Sequence, residues 1–127
     1  MPLTRIVTLK GRPSKEKTQI GEVVLQTVVD KLHVPANDRF LIIEELDREN
    51  LSFDPTCLDI ERSDGFLIIQ ITLNIGRSDE VKKDFYAALA EQLHQKIGIR
   101  KEDVFINLIE VTKENWSYGN GLGPFIA

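Results

Sequence analysis

Cysteine is nearly absent from this chain of 127 residues: it has one, Cys57, so an intrachain disulfide and the stapled architecture of small secreted domains are excluded. Cys57 lies in "DPTCLD" with no histidine close by, and reads as a plain structural thiol. The two histidines, His33 and His94, each stand alone, without a second ligand three or four residues away, so no zinc site is indicated. No apolar run approaches the roughly 20 residues of a membrane-spanning helix. No charged start followed by an apolar stretch marks a secretory leader either, and a cytoplasmic protein is the expectation. Basic excess is missing too: the net charge is −4, which argues against nucleic acid or an anionic membrane as partner and in favour of a small one. No P-loop occurs, and "GNGLGPF" near the C-terminus lacks the preceding strand and following helix that nucleotide binding requires. That stretch reads as a flexible tail or a subunit-swapping hairpin, and no cofactor is expected.

What the chain does have is an internal repeat. A shift of 65 residues, without gaps, lays Gly11-Arg12 on Gly76-Arg77, Asp38 on Asp103, Phe40 on Phe105, Glu45 on Glu110, Glu49-Asn50 on Glu114-Asn115 and Ser52 on Ser117. Ile20, Val24, Val28 and Leu32 recur at helical spacing in the first copy, as do Val81, Phe85, Leu89, Leu93 and Ile97 in the second. Before each helix comes a β-branched run, "LTRIVTL" and "FLIIQITL"; after each comes another, "RFLIIEEL" and "VFINLIEV". Each half is thus predicted to be β-α-β, a crossover with parallel strands. One α/β (α+β) domain over 1–127 follows, with repeats at about 2–53 and 67–118 joined by the turn-rich linker "DRENLSFDPTCLDIERSDG". Its four-stranded sheet carries both helices on one face. Strands as apolar as "FLIIQITL" do not leave their second face in water, so that face is expected against another subunit.

The repeat also separates what both halves share from what one half owns. Pro2 lies opposite Leu67, so proline is not demanded by the scaffold at that place. Proline at a strand's first residue is ordinary punctuation. Once Met1 is trimmed, however, Pro2 carries a free secondary amine, and an α-amine titrates near neutrality, at roughly 7.7–8.0. Arg12 and Arg77 each follow a glycine where a strand gives way to a helix, a place favourable to anions, and an arginine fork suits a carboxylate. Alternatively, either could pair on the surface with Glu16 or Glu80. Asp38 and Asp103 read first as turn formers; only Asp38 shares a half with the amine. "ENWSYG" puts Trp116 and Tyr118 where the first half has Leu51 and Phe53, giving either core packing or an aromatic wall beside a substrate.

These features together resemble the tautomerase superfamily: an N-terminal "MP", "L-x-G-R" closing the first strand, and tandem β-α-β units. "VPANDRF", "GRSDEVKKDFYAALAEQL" and "NWSYG" look like its long-chain subgroup that includes malonate semialdehyde decarboxylase. The resemblance implies a homotrimer without cofactor or metal, acting on a small carboxylic acid. It implies that Pro2 is the catalytic amine, Asp38 touches the substrate or the proline, Arg77 binds the carboxylate and Trp116 is an aromatic wall. Arg12 matches the carboxylate-binding arginine of short-chain members. Two positions depart from the pattern. "NIGR" offers Ile75 and Gly76 before a single Arg77 where the decarboxylases have two arginines, and Phe40 stands where short-chain members carry an arginine, with Arg39 one residue earlier.

Three functions follow for weighing. The first is keto-enol tautomerisation of a 2-oxo acid such as phenylpyruvate or a 2-hydroxydienoate, with Pro2 neutral and Arg77 holding the carboxylate. The second is decarboxylation of a 3-oxo acid or hydration of an unsaturated one, with Pro2 protonated and Asp38 assisting. The third is a non-catalytic trimeric binding protein.

Overall fold

The computed structural model describes residues 2–127. Its elements run β1 (Leu3–Leu9), α1 (Ser14–Leu32), β2 (Phe40–Leu46), β3 (Leu67–Asn74), α2 (Asp79–Ile97) and β4 (Val104–Val111), so each half is β-α-β. The sheet order is β2-β1-β3-β4: β1 pairs with β2 in parallel and β3 with β4 in parallel, while β1 and β3 meet antiparallel at the centre. This is the expected four-stranded sheet, made mixed by the antiparallel central pair. The linker, read as turns, contains two single 3₁₀ turns, Arg48–Asn50 and Cys57–Asp59.

Both helices bury their apolar stripes on one sheet face. Ile6 of β1 and Leu67, Ile69, Ile71 and Leu73 of β3 meet Ile20, Val24 and Val28 of α1 and Phe85, Leu89 and Leu93 of α2 in a single core. Fully burying side chains of this size contributes roughly 1.5–3 kcal/mol each, which outweighs the weak local helix signal of two stripes interrupted by charge. The repeat extends to the polar contacts. Lys17 pairs with Glu45 at 2.6 Å, and at the matching places Lys82 pairs with Glu110 at 2.8 Å, so each helix is pinned to the strand that follows it. Lys10 N–H donates to the Leu46 carbonyl, as Ile75 N–H does to that of Val111. Both strand exits use a glycine with positive φ, Gly11 at 124° and Gly76 at 131°, conformations closed to other residues at low cost.

The opposite sheet face carries no helix. Along it alternate Leu3 and Arg5, Phe40 and Ile42, and Phe105 and Ile109; Phe40 is 51% exposed and Phe105 46%. A polar row crosses it, in which Arg5 pairs with Glu44 at 2.5 Å and Gln70 donates to Asn107 at 3.3 Å.

Helix termini break the symmetry. Ser78 caps α2 by accepting Val81 N–H, whereas α1 begins after Pro13 without a side-chain cap. At the other ends Gly98 closes α2 in the left-handed region, and its repeat partner His33 closes α1 in the same region at φ 58°, ψ 46°. A side chain there costs about 1–2 kcal/mol that glycine does not. Replacing His33 with glycine is therefore expected to raise the thermal midpoint by about 4–8 °C, measured by calorimetry.

Candidate active site

The antiparallel β1–β3 register decides which residues can meet. Leu3 lies opposite Thr72, so Pro2, just before β1, falls beside the C-terminal end of β3 and the turn that follows it. The result is a cavity of about 110 Å³ lined by Pro2, His33, Val34, Pro35, Leu73, Asn74 and Arg77. Pro2 is buried, and Val34 and Leu73 make an apolar wall. A cavity of this size is far below the roughly 300 Å³ and above of drug-sized sites and matches an acid of a few carbon atoms.

Arg77 is held from behind. Its Nε and Nη2 donate to the Leu32 carbonyl at 2.9 and 2.8 Å, and its Nη1 donates to the Asn74 carbonyl at 3.1 Å. The Leu32 carbonyl is available because α1 stops at the left-handed His33. Of the five guanidinium N–H groups, two remain for a ligand. The expected surface pairing with Glu80 is not formed among the described residues.

An aromatic layer adjoins the cavity through Asn74. The indole Nε1 of Trp116 donates to Asn74 Oδ1 at 2.7 Å, and Trp116 stacks on Tyr118 with ring centres 5.8 Å apart and planes 6° from parallel. Phe125, from the tail, meets Tyr118 edge-on at 6.0 Å. Burial pushes the Tyr118 phenol above its ordinary value, and the negative charge of Asp38 adds to this, which brings Asp38 to the same layer. Pro2, Arg77, Trp116, Tyr118 and Asp38 thus gather at one end of the sheet.

Arg12 does not join them. It follows the far end of β1, about 20 Å from Pro2 at strand rise. Its guanidinium is 13% exposed and each of its three nitrogens donates within the chain: Nε to Thr8 Oγ1 at 2.9 Å, Nη1 to Glu16 Oε1 at 3.0 Å and Nη2 to the Gly65 carbonyl. The expected Arg12–Glu16 pair is present, and within this chain Arg12 cannot share a substrate with Pro2. Asp103, the repeat partner of Asp38, is likewise spent: it is 2% exposed and accepts from Ser63 N–H at 2.7 Å and Ser63 Oγ at 2.5 Å. At that end the linker, through Ser63, Gly65 and Phe66, takes the space that lies open beside Pro2. Leu67, opposite Pro2 in the repeat, is wholly buried, and Phe53 stacks on Phe66 at 4.4 Å.

His33, Asn74 and Phe125 were not singled out from the sequence. For two of them the signal is the one that singled out Pro2, divergence between the copies: His33 replaces Gly98, and Asn74 replaces Leu9. Among the described residues no group of His, Cys, Asp or Glu could hold a metal ion, and no helix is long and apolar enough to cross a membrane.

Comparisons with known proteins bear on the family and the fold. The sequence profile of the tautomerase enzymes matches residues 38–119. The chain is 34% identical over 126 residues to the probable tautomerase YusQ of Bacillus subtilis (strain 168), covering 99% of both chains. It superposes on malonate semialdehyde decarboxylase, described with decarboxylase and hydratase activities, with TM-score 0.89 and 28% identity, over 97% of this chain and 95% of that one. A fused 4-OT symmetric trimer shares the fold alone, with TM-score 0.77 and 20% identity over 95% and 94% of the two chains. This chain belongs to the tautomerase family of enzymes.

Two predictions follow from the two ends. Asp103→Ala leaves the half-buried Ser63 donors unpaired and is expected to cost about 1–2 kcal/mol, read from urea denaturation. At the other end the Tyr118 phenol is favoured over its phenolate, so its contribution to stability is full below the unfolded-state pKa, ordinarily near 10, and is lost as pH rises through the higher folded value. Asp38→Asn removes the charge and leaves the burial; the tyrosinate absorbance of Tyr118, read in a Tyr86→Phe background, should move down but stay above the ordinary value.

Proposed function

We propose that this enzyme interconverts the enol and keto forms of a small 2-oxo monocarboxylic acid, with the amine of Pro2, freed by removal of Met1, as the proton carrier. The observation that carries the reading is that Pro2 and Arg77 line one small cavity. The two uncommitted N–H groups of Arg77 hold the carboxylate. The neutral amine takes the enol hydroxyl proton and delivers a proton to C3, leaving the 2-oxo acid; the reverse direction uses the same groups. An amine beside a guanidinium and against apolar walls is pushed toward its neutral form, as this chemistry needs. Trp116 and Tyr118 wall the site from water, and Asp38 orients the substrate or the layer that contacts it.

A single arginine supports one carboxylate rather than two. Ile75 stands where the decarboxylase pattern has its other arginine; it is 58% exposed and lines none of the cavity. A lyase reading remains on the strength of the likeness to malonate semialdehyde decarboxylase. There Pro2 would stay protonated as an acid, with Asp38 activating water or positioning a 3-oxo or unsaturated acid. The assembly we propose is a homotrimer that covers the helix-free sheet face, in keeping with its exposed Phe40, Ile42, Phe105 and Ile109 and with the trimeric fused 4-OT.

The test is turnover of phenylpyruvate, 2-hydroxymuconate and 3-oxo acids by Met-trimmed protein beside Pro2→Ala, with the amine titrated by ¹⁵N NMR. The expected result is enol–keto turnover that falls at least about 100-fold in Pro2→Ala, and an amine that titrates below neutrality. An amine titrating at about 9, with activity on 3-oxo acids, would favour the lyase instead. Equal rates for both proteins would leave the trimeric binding protein.

A further inference from the structure

Two positions diverge together between the halves, and they touch. Asn74 and Trp116 are hydrogen-bonded at 2.7 Å at the Pro2 end; their repeat partners at the other end are Leu9 and Leu51, both buried and both apolar. The scaffold is therefore satisfied by two leucines. At the cavity it has a polar pair instead.

The chemistry of that pair fixes its orientation. An indole N–H can only donate, so the atom facing Trp116 must be the carboxamide oxygen of Asn74. The amide cannot be reversed without setting donor against donor. Its Nδ2 group is left with two N–H donors and no hydrogen-bond partner among the described residues, on a residue that lines the cavity with Pro2 and Arg77. The main chain of Asn74 is held as well, because its carbonyl accepts Arg77 Nη1. Of the other cavity residues, Val34, Pro35 and Leu73 offer no side-chain donor, and the His33 imidazole, on an exposed residue, has no hydrogen-bond partner among the described residues.

We infer that Asn74 is a further catalytic residue, whose carboxamide N–H donates to the C2 oxygen of the 2-oxo acid while Arg77 holds the carboxylate. The inference rests on the Pro2 reading above. Moving a proton between oxygen and C3 builds negative charge on that oxygen, and a neutral donor fixed beforehand stabilises it without competing for the carboxylate. Trp116 is then a positioning residue for the amide as well as a wall.

Asn74→Leu, with the same branching and number of side-chain heavy atoms but no polar ones, is expected to lower kcat about 100-fold while KM changes less than about 3-fold. Trp116→Phe keeps the amide but releases it, and is expected to lower kcat about 10-fold. Independently of turnover, the side-chain ¹⁵N–¹H₂ resonances of Asn74 in the Pro2→Ala protein should shift on saturation with pyruvate. That measurement leaves position 74 unchanged and needs no active enzyme. Resonances that do not move, or pyruvate that does not bind, overturn the inference. So does a kcat within about 3-fold of the parent in Asn74→Leu, or equal losses in the two variants, which would reduce Asn74 to a prop for Trp116. Absence of Pro2-dependent turnover in the parent would instead sink the tautomerase reading, with the resonance shift still deciding whether Asn74 contacts a bound 2-oxo acid.

Discussion

The antiparallel seam between β1 and β3 is the constraint on which the rest of the molecule depends. Each half closes on itself through a parallel pair and a crossover helix, and the halves are joined where Ile6 lies opposite Ile69 at the middle of the sheet. Because the seam is antiparallel, the start of one central strand is neighbour to the end of the other. Pro2 is thereby brought to the turn that bears Arg77, and Arg12 is sent to the far side. A parallel seam would have put the two arginines at one end and Pro2 at the other.

Much of this was legible in the sequence because the fold is written twice. Two copies of one hydrophobic pattern give the same register, and each helix ends where its stripe does, at Leu32 and at Ile97. The separation of Arg12 from Pro2 was harder to see. A repeat shows equivalence within a half but says nothing of how two halves are docked, and that docking rests on side-chain packing among Ile6, Ile69 and Ile71 in the core. His33 escaped notice for another reason: an isolated histidine offers no pattern, and its importance lies in a backbone conformation ordinarily given to glycine. Asn74 was hidden by its place at the end of an otherwise apolar strand.

The two ends of the sheet show how the same arrangement can be finished in opposite ways. At one, an arginine and an aspartate are consumed by Thr8, Glu16, Ser63 and Gly65, and phenylalanines fill the remaining space. At the other, the arginine lines an open cavity with Pro2 and the filling is Trp116 over Tyr118. The difference lies in chain connectivity. The linker that precedes the second half folds over that half's end through Ser63, Gly65 and Phe66.

His33 has a consequence for motion. Helix α1 ends on a residue in a conformation its side chain resists, next to a cavity, while α2 ends on glycine with both capping carbonyls, those of His94 and Leu93, satisfied. Local opening costs least where strain is released and little packing is lost. The last turn of α1 meets only the first condition, because Leu32 is wholly buried in the core and its carbonyl accepts two bonds from Arg77; the strain at His33 is held in place by that packing, and the guanidinium is held with it. The position of the Arg77 guanidinium is in this way tied to the packing of one helix end.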